Sequence, residues 1–351
     1  MTGLLAQQES GQVDMARLRA DRRRRLFDAM SAHGLDALVL GRAADVAFAS
    51  GARQLWTAGA RPFGPGCVVV ASTGHVHLLS TWDEGVPPEI GHDDLFGLKW
   101  NPANLLGSLS AIPGIEQARR VGTDSYSPGF EQFLAAVAPD AEIVDAGPAL
   151  GEARSAKSED EVALIERAVA VAEAALTAMD DAVEPGATER DLMRAYLAAI
   201  SRLGCMQPPT EGVACATPRS GPVTLRRLTS ERQLGPGQLV VLNPSALYAG
   251  YEGGLGRTVA VGEVSPAAAR LAARAREVLD AQPEAVGDHG GVEAPVIGAD
   301  VGGDAELRSG MVLSVQAWVA EEGVGGVLQR DAVHVVDGTP RVLSRYRSEL
   351  V

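Results

Sequence analysis

Residues 237–258, GQLVVLNPSALYAGYEGGLGRT, limit what this chain can fold into more than any other stretch. Leu239 to Leu242 is an apolar run bounded by Gly237 and by Asn243-Pro244. A short apolar run between turn formers reads as a buried strand. A second extended piece is expected from Tyr248 to Val261, with Gly250, Gly253, Gly254 and Gly256 inside it. Glycine within a strand marks a bend, a bulge or the close approach of another backbone. Two paired strands of this kind, with polar groups at their ends, make the floor of a site.

The rest of the chain supplies layers to pack on that floor. Asp14 to His33 reads as an amphipathic helix with Met15, Leu18, Leu26, Phe27 and Met30 on its apolar side, stopped by Gly34. The arginine run Arg22 to Arg25 is expected to form a solvated helix face. Leu35 to Leu40 is a short strand, and Cys67–Ala71 with His75–Ser80 forms a hairpin around Ser72-Thr73-Gly74. Alternation puts His75 and His77 on one face, expected to be a half-exposed edge strand rather than a metal site. Val121 to Asp124 ends another strand, Pro128 to Val137 is helical, and Ala141 to Val144 is extended. Strands alternating with helices define an α/β layer over residues 1–150.

From residue 151 the pattern changes. Ser158 followed by Glu161 makes a capping box for a helix from Glu159 to Asp181, broken by Pro185-Gly186. Thr188 and Asp191 repeat the device for a second helix through Ile200. Residues 205–232 read as loop, 266–280 as a helix, and 307–336 as strands.

Composition narrows the function classes. The chain has 351 residues, 46% hydrophobic and 22% charged, with a formal net charge of −14. That charge argues against nucleic acid or an anionic membrane as partner. No apolar run approaches the roughly 20 residues of a membrane span, and no secretory leader is evident. Cys67, Cys205 and Cys215 form no C-x-x-C pair and read as buried thiols in a reducing cytoplasm.

The 237–258 stretch resembles the pita-bread superfamily: creatinase, aminopeptidase P, prolidase and methionine aminopeptidase. Its metal-dependent members read G-D-x-V-x-x-D-x-G-x-x-Y-x-G-Y-x-S-D-x-T-R-T, and Gly237, Val240, Tyr248, Gly250, Tyr251, Arg257 and Thr258 keep that spacing. The junction Arg154 to Glu161 resembles R-x-x-K-S-x-x-E. Leu307 to Val319 resembles L-x-x-G-M-V-x-x-x-E-P-G, and Gly325 to Val333 resembles G-G-V-R-x-E-D-x-V. The resemblance implies an α/β (α+β) fold: a creatinase-like N-terminal domain (1–150), then a pita-bread domain (151–351) with a curved, mainly antiparallel sheet covered by helices. It also implies a homodimer.

The same alignment removes the family's chemistry. The family's metal-binding carboxylates fall on Asn243, Gly254, Gln316 and Arg330. Family members place a substrate-facing histidine in the 217–227 region, where this chain has none. The stretch before His289 lacks a helix that family members carry, and His289 reads either as a remnant of the ligand histidine or as an unrelated loop residue. Hard dications need charged oxygen ligands, so neutral amides, a glycine and a guanidinium imply no metal, and no other cofactor is expected.

Three readings follow. The first is a metal-independent, creatinase-like hydrolase or lyase acting on a small anionic molecule, a carboxylate or a guanidino or amide compound. Its candidate catalytic residues are Glu252, His289 and Tyr251. Asn243, Gln316, Arg330, Arg257, Trp318 and Arg226 are its candidate binding residues, the arginines as planar anion clamps. The second is a non-catalytic pseudo-peptidase serving as a binding or regulatory module. The third is an Xaa-Pro aminopeptidase or dipeptidase. Against the anion clamp stands a purely structural role for Arg330, paired with Asp331, Glu293 or Glu252.

Overall fold

The structure, a computed structural model, describes residues 13–52, 66–80, 85–97, 102–124, 128–205, 208–209, 214–226, 228–280, 307–346 and 350. His289 and Glu293 lie outside the described residues, as does the shortened stretch before His289. The chain divides into two compact units, Asp14–Arg154 and Ser155–Val351 with Val13.

In the first unit, α1 (Met15–Ala32) starts where the Asp14 carboxylate accepts the Arg17 N–H at 3.0 Å. Met15, Leu18, Leu26, Ala29 and Met30 are buried at helical spacing, and Gly34 turns the chain at φ +63°. β1 (Ala37–Leu40) and α2 (Ala43–Ser50) follow, then the hairpin β2 (Cys67–Val70) and β3 (His75–Ser80). β4 (Leu95–Gly97), α3 (Pro102–Ser110), β5 (Arg120–Thr123), α4 (Pro128–Val137), β6 (Glu142–Asp145) and α5 (Gly147–Ser155) complete the unit. The strand order is β4-β3-β2-β1-β5-β6. β1–β5, β5–β6 and β3–β4 pair parallel, and the other pairs are antiparallel. Strand alternation sends Leu38, Leu40, Val69 and Leu78 to a core with α1 and α2, and Ala37, Val39, Val68 and Leu79 to a core beneath α3 and α4. Helices therefore cover both faces.

Two expectations fail in this unit. The arginine run is a solvated face only in part: Arg24 is 62% exposed, but Arg22 and Arg25 turn inward. Arg22 is 9% exposed and both it and Arg25 lie over the Phe48 ring, 5.7 Å from its centroid. A planar guanidinium loses little by stacking on an aromatic face, so cations are drawn into the helix interface. Likewise, β3 is an interior strand with His77 buried, because β4 covers its outer side. His75 Nδ1 and His77 Nδ1 each lie 3.0 Å from Asp94 Oδ1, though the His77 approach lacks hydrogen-bond geometry.

The second unit opens with α6 (Glu159–Asp180) and α7 (Glu189–Arg202), and both expected capping boxes are formed. The strands are β7 (Ala214–Ala216), β8 (Leu239–Leu242), β9 (Ser245–Tyr248), β10 (Tyr251–Gly254) and β11 (Arg257–Ala260). α8 (Pro266–Asp280), β12 (Val312–Glu321), β13 (Gly325–Val336) and β14 (Thr339–Val342) follow. Every strand pairing in this unit is antiparallel, in sheets ordered β11-β8-β7, β10-β9 and β12-β13-β14. A bridge between Gly256 and Arg330 links β13 to the turn before β11.

The expected extended piece from Tyr248 to Val261 is a tight hairpin and a further strand instead. Ala249 at φ +51° and Gly250 at φ +85° reverse the chain, so β9 pairs with β10 and β8 with β11. α6 and α7 pack on these strands around Leu176, Tyr196, Val240, Leu242 and Leu255. Tyr196 is fully buried and donates its hydroxyl to the Ser245 carbonyl at 2.6 Å. Tyr196→Phe leaves that buried acceptor without its partner and is expected to cost about 1–2 kcal/mol, read as a lowered urea midpoint at unchanged m-value.

Candidate functional site

The site is organised by one guanidinium. Arg330 lies on β13 directly opposite Gln316 on β12. Its backbone is clamped by two hydrogen bonds of 2.9 Å with Gly256, one in each direction. Its Nε donates to Ser314 Oγ at 2.9 Å and its Nη1 to Asn243 Oδ1 at 3.3 Å, while its Nη2 lies 3.6 Å from Glu252 Oε1. Burial pulls the Arg330 pKa below its ordinary value, opposed by the Glu252 carboxylate. Three of the four positions expected to have lost metal ligands, Asn243, Gln316 and Arg330, thus meet around a fixed cation.

The fourth, Gly254, sits against Ser245, where an added Cβ would lie 2.7 Å from Ser245 Cβ and 3.1 Å from the Pro244 carbonyl. Gly256 does similar work beside the guanidinium: a Cβ there would lie 2.9 Å from Asn243 Oδ1 and 3.0 Å from Arg330 Cβ. Gly254→Asp, the change that would restore an acidic ligand, is therefore expected to destabilise by about 1–3 kcal/mol through overpacking. Urea unfolding of the single variant checks this, and a stability equal to wild type would show that the strand pair has room.

These residues do not fit a dinuclear metal centre. Two amide side chains, a glycine and a guanidinium supply no negative charge, and the guanidinium adds a positive one. Among the described residues, no group of three or more His, Cys, Asp or Glu side chains is arranged to hold a metal ion.

The other expected site residues are placed differently. Tyr251 is buried and donates its hydroxyl to Glu161 Oε1 at 2.8 Å. Glu161 also closes the α6 capping box, so this tyrosine ties β10 to the helix start. Arg257 is 3% exposed. Its Nη1 donates to the carbonyls of Gly256 and Arg330 at 2.8 and 2.7 Å, and its Nη2 donates to Asp331 Oδ1 at 2.7 Å. It supports the Arg330 backbone from behind rather than facing a ligand. Arg226 pairs with the fully buried Glu189, which also accepts from Ser230 and from the Ala216 N–H. None of its hydrogen bonds goes to the Arg330 cluster. Trp318 shares the Arg330 face of β12 and covers Gly326, where a Cβ would lie 2.1 Å from its ring.

Cys215 is buried, and burial pushes its thiol up to about 11, which leaves it protonated and unreactive at neutral pH. Ser314 was missed by sequence reading. The only signal for it was its place two residues before Gln316 on one strand face.

Comparison with known proteins agrees with this architecture. The model of the Creatinase/Prolidase N-terminal domain matches residues 22–156, and that of metallopeptidase family M24 matches residues 163–298. The chain belongs to the pita-bread superfamily, with a creatinase-type domain ahead of its M24-type domain. It is 23% identical to an Xaa-Pro dipeptidase of Pyrococcus horikoshii over 269 residues, 68% of this chain and 76% of that one. Solved structures share the fold at low identity. An Xaa-Pro dipeptidase from Bacillus anthracis superposes with TM-score 0.72 at 16% identity, covering 95% of this chain and 99% of its own. An X-Pro aminopeptidase from Thermotoga maritima gives 0.71 at 14% identity, covering 93% and 98%. No described helix is long and apolar enough to cross a membrane.

Proposed function

We propose that this chain is a metal-free pseudo-peptidase, a pita-bread domain that serves as a binding module rather than as a hydrolase. One observation carries the reading: the Arg330 guanidinium hydrogen-bonds Asn243, and the resemblance implies that both residues stand where the family's metal ligands are expected. A monocation whose hydrogen bonds go to neutral side chains, with a single carboxylate 3.6 Å away, does not gather the negative charge that dications need. The remaining groups do not rebuild a catalyst among the described residues. Tyr251 is committed to Glu161, and Glu252 lies 3.6 Å from the Arg330 guanidinium as its ion-pair partner.

A second reading, an Xaa-Pro peptidase, is favoured by the relatives, whose printed activity is Xaa-Pro dipeptidase. They support it over the metal-independent hydrolase or lyase that the residues alone brought first. One experiment separates the readings. The full-length protein, dialysed against manganese, cobalt or zinc, is analysed for bound metal and assayed on Xaa-Pro dipeptides and tripeptides. The pseudo-peptidase reading expects substoichiometric metal and no hydrolysis. Stoichiometric metal with turnover would overturn it in favour of the peptidase.

A further inference from the structure

We propose that the Arg330 face binds a small monocarboxylate, and that Glu252 occupies the ligand's place until it arrives. This rests on the metal-free reading of the cleft and names the ligand class for that site.

Among the described residues, three arginine–carboxylate pairs lie near the central strands, and Arg330–Glu252 differs from the other two. The side chains of Arg257 and Asp331 are 4% and 2% exposed and meet at 2.7 Å; that of Arg226, 26% exposed, meets the 0% exposed Glu189 at 2.5 Å. Those are closed structural pairs. Arg330 and Glu252 are 15% and 36% exposed and stand 3.6 Å apart, beyond hydrogen-bond reach. The cation of this pair is fixed. Its Nε is held by Ser314, and its backbone is bonded twice to Gly256, whose carbonyl Arg257 also holds. The anion is the more exposed partner, 36% against 15%, and no hydrogen bond holds it to the guanidinium. A structural ion pair of this kind would be held at both ends; a fixed guanidinium facing a carboxylate beyond hydrogen-bond reach is the arrangement of a binding site.

The donors agree. A guanidinium offers five N–H groups, and a carboxylate takes two of them side by side along one edge. At Arg330 the Nη1 bond to Asn243 is long, 3.3 Å, and its acceptor is a neutral amide; the Nη2 contact with Glu252 is longer still. The Nη1–Nη2 edge therefore has more to gain from a carboxylate than its present contacts supply.

Strand register places Ser314, Gln316 and Trp318 on the same face of β12 as Arg330 on β13, with Gln316 and Trp318 half-buried. An amide opposite the cation and an indole further along the same face, over Gly326, suit a ligand with a flat or apolar body behind its carboxylate. One guanidinium in a chain of net charge −14 favours a monoanion over a phosphate dianion.

The test uses the full-length protein in EDTA, with phenylacetate as probe, the isosteric neutral phenylacetamide as control and inorganic phosphate as a third arm, all by isothermal titration calorimetry. Phenylacetate is expected to bind and phenylacetamide to bind at least tenfold more weakly. Glu252→Gln is expected to tighten phenylacetate binding about tenfold by removing the internal competitor. Arg330→Lys, which keeps the charge but loses the planar fork, is expected to weaken it at least tenfold. Equal binding of acid and amide, no tightening in Glu252→Gln, unchanged binding in Arg330→Lys, or phosphate binding more tightly than phenylacetate would each overturn the inference. Failure here without metal-dependent hydrolysis sinks the carboxylate site alone; metal-dependent hydrolysis sinks the pseudo-peptidase reading beneath it.

Discussion

Arg257→Met is expected to cost about 3–5 kcal/mol of unfolding free energy, the range for removing one partner of a buried ion pair. The loss is larger than that of any surface arginine because of what remains behind. Asp331 is 1% exposed, its Oδ2 already has no hydrogen-bond partner, and after the change its Oδ1 keeps only the Ser344 hydroxyl. The carbonyls of Gly256 and Arg330 lose a donor as well. Urea unfolding followed by far-ultraviolet circular dichroism measures the effect. The double variant Arg257→Met/Asp331→Asn is expected to be less destabilised than the sum of the two singles, because the stranded charge is gone. Additive costs would show that the pair is not coupled. The same substitution withdraws support from the Arg330 backbone, so it weakens any ligand held there.

Glu189→Gln is expected to destabilise by about 1.5–3 kcal/mol at neutral pH, the range for hydrogen bonds to a charged group, because a neutral amide replaces a fully buried carboxylate while Arg226, 26% exposed, stays partly in water. The carboxylate is fully buried at the start of α7 and gathers the Ala216 N–H, the Ser230 N–H and hydroxyl, and the Arg226 guanidinium. Burial by itself raises its pKa, but the hydrogen bonds from Arg226, Ser230 and Ala216 outweigh burial and hold the group below the ordinary glutamate value. A depressed folded-state pKa contributes stability that is fully present above the unfolded value of about 4.3 and is lost as pH falls through the folded one. The gap between wild type and Glu189→Gln is therefore expected to be widest near neutral pH and to close below about pH 4. A gap that stays constant down to pH 3 would show that Glu189 acts through packing rather than charge.

Much of the scaffold was legible because its signals are local. The two capping boxes, Ser158 with Glu161 and Thr188 with Asp191, span three residues and form as read. The α1 start at Asp14 and the β2–β3 hairpin are equally short-range. What failed depended on distant partners. Arg22 and Arg25 are drawn inward by Phe48, which a later helix brings to them. His77 is covered by a strand beginning at Leu95. The β9–β10 hairpin was hidden because Ala249, a residue with no turn preference, takes a left-handed backbone conformation.

The candidate site divides in the same way. The resemblance to the family's motifs, not spacing by itself, puts Asn243, Gly254, Gln316 and Arg330 at the positions expected to carry acidic ligands, and none of the four side chains supplies negative charge. Which arginine lacks a carboxylate within hydrogen-bond reach was another matter. Arg226, Arg257 and Arg330 read alike along the chain, yet two are closed by Glu189 and Asp331, 37 and 74 residues away, and the third meets Asn243 at a separation of 87. Sequence by itself determined the helices and their caps, since each is written within a turn; the absence of acidic ligands was an expectation drawn from the resemblance of its motifs. Only the tertiary structure decided which cation meets its carboxylate at hydrogen-bond distance and which at 3.6 Å, because burial and the partner it selects are set by strands that packing, not proximity in the chain, brings together.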